Sequence, residues 1–164
     1  MSTGHRKLPD AALSKPHIDQ AIKTLLERVK VDNHYWVPYL GGYSKDWADG
    51  PEVYFDARFP DRLVVSGKTM QPYRYILIHE CVEKSLMDEL HLSYDVAHDF
   101  ATAAERSAVE ADGFQWPAYC AAIKPYIAQA VKQPKGLDVP KDLDDSPYVQ
   151  DHSEELGKIE SEQR

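Results

Sequence analysis

Residues 75–83 read Tyr75-Ile76-Leu77-Ile78-His79-Glu80-Cys81-Val82-Glu83, and this stretch decides the helical half of the fold. Ile78, Val82, Leu86 and Leu90 recur at helical spacing, with Ile76 or Leu77 contributing at the start, so a helix over 74–90 is predicted. Positions i and i+4 lie on one helix face. His79 and Glu83 therefore stand together, Glu80 directly follows His79, and Cys81, two residues on, points away from them. His79 also follows an apolar run, which puts it near the boundary of the core. A polar cluster at that depth needs partners. A metal ion is one solution and mutual hydrogen bonding is another.

Downstream, His91-Leu92-Ser93 is a short link, and Ser93 is a good N-cap for a second helix running to Ala111, with Gly113 ending it. So tight a link favours antiparallel packing of the two central helices. Trp116-Pro117 opens a third helix to about Val131, which Pro125 is expected to kink or split. Upstream, Ser14-Lys15-Pro16 starts an amphipathic helix over 16–30, carried by Ile18, Ala21, Ile22, Leu25, Leu26 and Val29. A short strand is expected near 35–40, followed by a long loop punctuated by glycines and prolines. Val53-Tyr54-Phe55-Asp56 reads as a strand, Pro60-Asp61 as a turn, and Arg62 to Ser66 as the partner strand, with Gly67 opening a loop. Strands that neighbour one another in sequence, rather than alternating with helices, indicate an α+β fold. The expected architecture is a small antiparallel sheet or hairpin followed by a helical half with two antiparallel central helices. Residues 1–13 read as a flexible leader, 14–132 as a single globular domain, and 133–164 as an acidic extended or disordered tail. Within that tail, Val139-Pro140 and Pro147-Tyr148-Val149 are candidates for an arm that packs on the domain.

At 164 residues the chain suits one domain able to bury a core without staples. A net charge of −8 argues against a nucleic-acid partner, which normally meets a basic face. No apolar run is long enough for a membrane span, and Met1 to Asp10 has no apolar core of a secretory signal. Cys81 and Cys120 are far apart and read as reduced thiols, so a cytoplasmic location is expected.

Metal-dependent hydrolysis requires protein ligands, an open position for water, and a general base beside it. The HExxH motif supplies two ligands one helical turn apart, with the intervening glutamate as base. Here the second histidine is replaced by Glu83, giving H-E-x-x-E. His98 and Glu105 lie seven residues apart, two turns along one face of the second helix. Antiparallel packing brings His98 towards His79 and Glu83. Glu105 is then a fourth ligand, or it holds the imidazole of a ligand. The candidate metal residues are thus His79, Glu83, His98 and Glu105, with Glu80 as base. One divalent metal is implied; zinc is favoured, and the oxygen ligands bring manganese or iron into range.

The order of strand hairpin, HExxE helix, short turn, and helix with a downstream His and Glu resembles the minimal zincin core. The stretches His79 to Glu83, Tyr94 to His98, and Ala104-Glu105 are also similar to small uncharacterised bacterial and phage proteins of metallopeptidase type. The resemblance covers roughly residues 53–131. It implies a zincin-like peptidase acting on a peptide or protein through a metal-bound water, with His79 a ligand and Glu80 the base. Glu83 departs from the zincin histidine.

Other readings stand beside this one. The polar cluster can be structural, in a non-enzymatic metal-binding or protein-interaction protein. Cys81 as a nucleophile lacks an accompanying glycine-rich elbow. A di-metal carboxylate bundle would need Glu-x-x-His pairs that these helices lack. His5, His17, His34, His91 and His152 read as solvent histidines, and Tyr39, Tyr73 and Tyr94 as packing residues able to place a hydroxyl at a site.

Overall fold

The computed structural model describes residues 15–48, 50–132 and 139–149. The leader, residues 133–138 and the tail beyond 149 lie outside the described residues, as do the expectations that fall on them. The fold is α+β. Its elements are α1 (Lys15–Arg28), β1 (Lys30–Asp32), β2 (Gly41–Tyr43), β3 (Glu52–Phe55), β4 (Leu63–Val65), β5 (Lys68–Met70), α2 (Tyr73–Leu90), α3 (Tyr94–Ala111) and α4 (Trp116–Val131). None of the described helices is long and apolar enough to cross a membrane.

The strands pair differently from the sequence expectation. The main sheet is mixed, in the order β1-β3-β2, with β1 parallel to β3 and β2 antiparallel to it. No strand forms over 35–40; the chain instead enters the sheet at Gly41, whose glycines had read as punctuation. The physical reason is proximity to α2. A Cβ on Gly41 would lie 2.9 Å from Ile76 Cγ2 and 3.0 Å from Glu80 Oε1, so only a residue without a side chain lets the strand run this close to the helix. The segment after Pro60 does not return to β3. It forms its own hairpin, β4 with β5, register Leu63↔Met70 and Val65↔Lys68. Ser66 (φ 52°) and Gly67 (φ 77°) are both left-handed, the backbone of a two-residue hairpin loop whose twist suits antiparallel strands. Gly67 is therefore a turn residue, and the expected loop to Met70 is a strand.

The helices follow their predicted spans closely. His91 caps α2 in the left-handed conformation (φ 52°), its N–H donating to the Leu86 carbonyl. Ser93 occupies the N-cap of α3, but its side chain makes no capping hydrogen bond. Pro125 does not split or end α4; it is exposed within one continuous helix. The buried stripe of α2 differs from the predicted one. Val82 and Leu86 are half-buried and Leu90 is exposed, while Ile76, Ile78 and Cys81 are buried together with Glu80, Glu83 and Lys84. Charged side chains rarely go inside unless paired, so the face of α2 that enters the protein is also its chemically unusual face.

Contacts between α2 and α3 run in opposite senses: Tyr75 reaches Asp112, His79 reaches Glu105, and Glu83 reaches His98. That register is antiparallel. The main core joins the sheet, α2 and α4 through Tyr43, Val53, Phe55, Tyr75, Tyr119 and Ile123. Each large apolar side chain buried there stabilises the fold by roughly 1.5–3 kcal/mol. Residues 139–149 pack on the domain. Leu143 bridges to Ser44 at the edge of β2, Lys45 N–H donates to the Asp142 carbonyl, and Asp144 N–H donates to the Tyr43 carbonyl. Leu143 also fills a small second core with Val37 and Tyr54. Part of the predicted tail is thus an ordered arm.

Candidate metal centre

One turn of α2 and one of α3 carry the site. Helical spacing puts His79 and Glu83 on the same face, and the antiparallel neighbour delivers His98 opposite them. His79 Nε2 lies 3.2 Å from Glu83 Oε2, and His98 Nδ1 lies 2.9 Å from the same oxygen. The two imidazole rings are 4.8 Å apart between centroids. The three residues place one ligand atom each within 4.8 Å of one another.

The donor set fits a metal ion. Ligand atoms on a tetrahedral ion with bonds of about 2.0–2.1 Å are spaced about 3.3 Å apart, close to the spacings of both nitrogens from Glu83 Oε2. The outward-facing atoms are held as well. Glu83 Oε1 accepts a hydrogen bond from the Tyr43 hydroxyl at 2.8 Å, which leaves Oε2 directed at the histidines. His79 Nδ1 lies 2.9 Å from Glu105 Oε1, and Glu105 Oε2 accepts from the Tyr119 hydroxyl at 2.7 Å. A carboxylate on the far nitrogen of an imidazole fixes its tautomer and ring orientation. Glu105 lies outside the three-residue group and meets His79 from the opposite side to Glu83.

Burial and charge act against each other here. Burial alone pushes Glu83 up, but the hydrogen bonds and charges of His79 and His98 outweigh it and hold the carboxyl down to about 2. Burial alone pushes His79 down, yet Glu105 and Glu83 together raise it well above the usual imidazole value. Burial, reinforced by the carboxylates Glu83 and Glu105, drives the Tyr43 and Tyr119 hydroxyls upward, so both remain donors. The cluster thus concentrates negative charge around two imidazoles.

A cavity of about 130 Å³ opens onto this cluster. Glu80, the predicted base, lines it together with His79, Glu83 and His98. Its carboxylate is held against Gly41 on β2. Of the three tyrosines singled out in the sequence, Tyr39 and Tyr94 line the cavity, and the Tyr94 hydroxyl is 3.4 Å from His98 Nδ1. Tyr73 instead donates to the Phe59 carbonyl. His34 is exposed and pairs with Asp32 at 2.8 Å, away from the cavity lining. Cys81 is fully buried in the core, and burial with the Glu80 charge pushes its thiol up to about 12, the opposite of an activated nucleophile.

Tyr43 and Tyr119 are the residues of this candidate site that sequence reasoning missed. Their partners lie 40 and 14 residues away in sequence. The available signal was weak: a buried tyrosine hydroxyl needs a partner, but nothing local says which. No protein-family model, curated protein or solved structure matches this chain.

Proposed function

We propose that the protein is a metal-dependent hydrolase of the zincin-like kind, acting on an amide bond of a peptide or protein in the cytoplasm. The carrying observation is that His79, Glu83 and His98 each offer a ligand atom within 4.8 Å of the others in a cavity that Glu80 also lines. His79, Glu83 and His98 would hold one divalent ion, zinc being the best match to two nitrogens and one oxygen. Bound there, such an ion would supply Lewis acidity for the carbonyl and the water.

The protein's own groups account for the rest. Glu80 takes the proton from the attacking water and passes it to the leaving nitrogen. Glu105, backed by Tyr119, keeps the His79 ring aimed into the cavity. Tyr43 holds Glu83 Oε1, which leaves Oε2 facing the two histidines. Cys81 and Cys120 form no disulfide, as suits a reducing compartment.

A non-enzymatic reading has one observation in its favour: His79, Glu83, His98 and Glu105 already satisfy one another by hydrogen bonding. Metal analysis of tag-free protein separates the two. The hydrolase reading expects stoichiometric metal that is lost in His79→Ala and in His98→Ala and kept in Glu80→Gln, with peptide hydrolysis lost in all three. Protein that carries no metal, with melting unmoved by zinc or chelator, overturns it. Metal binding with hydrolysis unchanged by Glu80→Gln would leave a metal-binding protein without this catalytic mechanism.

A further inference from the structure

Lys84 follows the candidate ligand Glu83 on α2 and is buried as deeply, its side chain keeping 3% of its surface. A lysine at that depth needs an opposite charge. Two carboxylates reach its Nζ, Asp144 at 3.0 Å and Asp88 at 3.2 Å, and the Lys45 carbonyl accepts from it at 2.9 Å. Asp88 is 45% exposed, so water and salt screen it. Asp144 keeps only 15%. The better-buried counter-charge therefore comes from the arm at 139–149, 60 residues further along the chain. The arm also reaches Tyr43. Asp144 N–H donates to the Tyr43 carbonyl at 2.8 Å. Lys84 Nζ lies 5.3 Å from the centre of the Tyr43 ring, within range of cation–π attraction. Arm and lysine thus grip Tyr43 at its backbone and its ring, and the Tyr43 hydroxyl in turn holds Glu83 Oε1 at 2.8 Å. The rest of the arm is seated on the sheet: Asp142 accepts from the Tyr54 hydroxyl at 2.6 Å, and Leu143 fills the second core. Pro147 of the same arm is buried and lines the cavity.

We propose that docking of the arm is coupled to binding of an ion at His79, Glu83 and His98, so that the arm regulates the centre. Seated, it holds Glu83 where the ion needs it; displaced, it leaves a weaker site. The inference rests on the metal centre of the reading above and not on hydrolysis. The contacts set the sign. With the arm off, the described partners of Lys84 shrink to the exposed Asp88 and one carbonyl, and the ammonium is drawn towards water. Tyr43 then loses the hydrogen bond on its carbonyl and the cation over its ring. Its hydroxyl becomes a looser partner for Glu83 Oε1, and Oε2 is less firmly aimed at the histidines. Linkage makes the effect reciprocal: the factor that the seated arm adds to ion affinity is the factor that the ion adds to seating of the arm.

Two measurements on the full chain test this without requiring turnover. The first is zinc affinity, read by competition with a chromophoric chelator. Asp144→Asn keeps the volume and removes the charge that seats the arm on Lys84; affinity should fall about fivefold or more, the low end of ordinary coupling between sites. Asp56→Asn weakens a buried pair with Arg58 outside the cavity lining, and should stay within about twofold of the parent, which separates coupling from general loss of stability. The second is hydrogen exchange at the Lys45 and Asp144 amides, which donate to the Asp142 and Tyr43 carbonyls. Zinc should slow both in the parent protein, and by more than it slows the amides of the β4–β5 hairpin. If Asp144→Asn does not fold, exchange in the parent carries the test. Zinc that binds the parent and Asp144→Asn alike, or arm amides indifferent to zinc, overturns the coupling and leaves the metal centre standing. Tighter binding in Asp144→Asn overturns it as well, and makes the arm a plug. A parent chain that takes up no zinc overturns the metal reading and the coupling together. Coupling in a protein that hydrolyses nothing supports the role of the arm and removes only the catalysis.

Discussion

Glu105→Gln is the sharpest perturbation of the proposed centre. Glu105 is buried and spends both oxygens: Oε1 faces His79 Nδ1 at 2.9 Å and Oε2 accepts from Tyr119 at 2.7 Å. Replacement by alanine would strand two buried polar groups, each costing about 1–3 kcal/mol, so a loss of metal affinity there could not be told from general unfolding. Glutamine keeps the volume. Its amide oxygen can accept from His79 Nδ1–H, and the Tyr119 hydroxyl can rotate to accept from the amide nitrogen. Stability should fall by only about 1 kcal/mol, one weakened hydrogen bond. What disappears is the negative charge beside His79 Nδ1, which in the proposed centre would strengthen the imidazole as a metal ligand. Loss of such a partner typically lowers metal affinity about 10–100-fold, which is about 1.4–2.8 kcal/mol at 1.4 kcal/mol per decade. Competition titration of zinc against a chromophoric chelator measures the affinity, and urea unfolding of the metal-free protein measures stability in parallel. Zinc affinity within twofold of the parent, in a folded Glu105→Gln protein, would refute the assignment of Glu105 to orienting His79.

Three further outcomes are expected. Gly41→Ala puts a methyl 2.9 Å from Ile76 Cγ2 and 3.0 Å from Glu80 Oε1; it should destabilise the protein by about 1–3 kcal/mol in thermal melts and depress hydrolysis through a displaced Glu80, while zinc content stays constant. Tyr43→Phe releases Glu83 Oε1; a hydrogen bond to a charged group is worth about 1.5–3 kcal/mol, and the freed oxygen should narrow the preference for zinc over manganese in competitive binding, an unchanged ratio being the contrary result. The metal-free protein should lose stability as pH rises, because Glu105 and Glu83 raise His79 above its unfolded value of 6.5. That contribution is complete below pH 6.5 and lost as pH climbs through the folded value. Melting temperatures across this range should fall without zinc and hold with it; a flat metal-free profile would count against the His79 pairing.

The helical half was legible because its signals are local. The spacing from Ile76 to Leu90, the short link at His91 to Ser93 and the Trp116-Pro117 start each act within a turn or two of helix. These local signals also put His79, Glu83 and His98 within reach of one another, since helix periodicity and one antiparallel packing step suffice to align them. The sheet was not legible to the same degree. Val53 to Phe55 was recognisable as a strand, but its partners come from 30–32 and 41–43, and strand pairing is decided by tertiary packing that no window of sequence contains. Gly41 shows this well. As a residue in a string it signals a break; against α2 its lack of a side chain is what lets a strand pass. The α2 stripe misled for a related reason: Glu83 and Lys84 look solvent-facing by type and are buried because each meets a partner from elsewhere in the chain, and Glu80 is buried beside them.

The arm at 139–149 has a consequence for how the protein behaves in company. β2 ends the main sheet, and a bare sheet edge offers unpaired N–H and C=O groups to any other extended chain. Leu143 and its neighbours occupy that edge beside Tyr43, Ser44 and Lys45, and Lys84, buried inside α2, anchors them through Asp144 at 3.0 Å. The polypeptide therefore carries its own edge guard. Cutting the protein after residue 138 would uncover the β2 edge and take Asp144 from the buried Lys84, so self-association through that edge is the expected result of losing the arm.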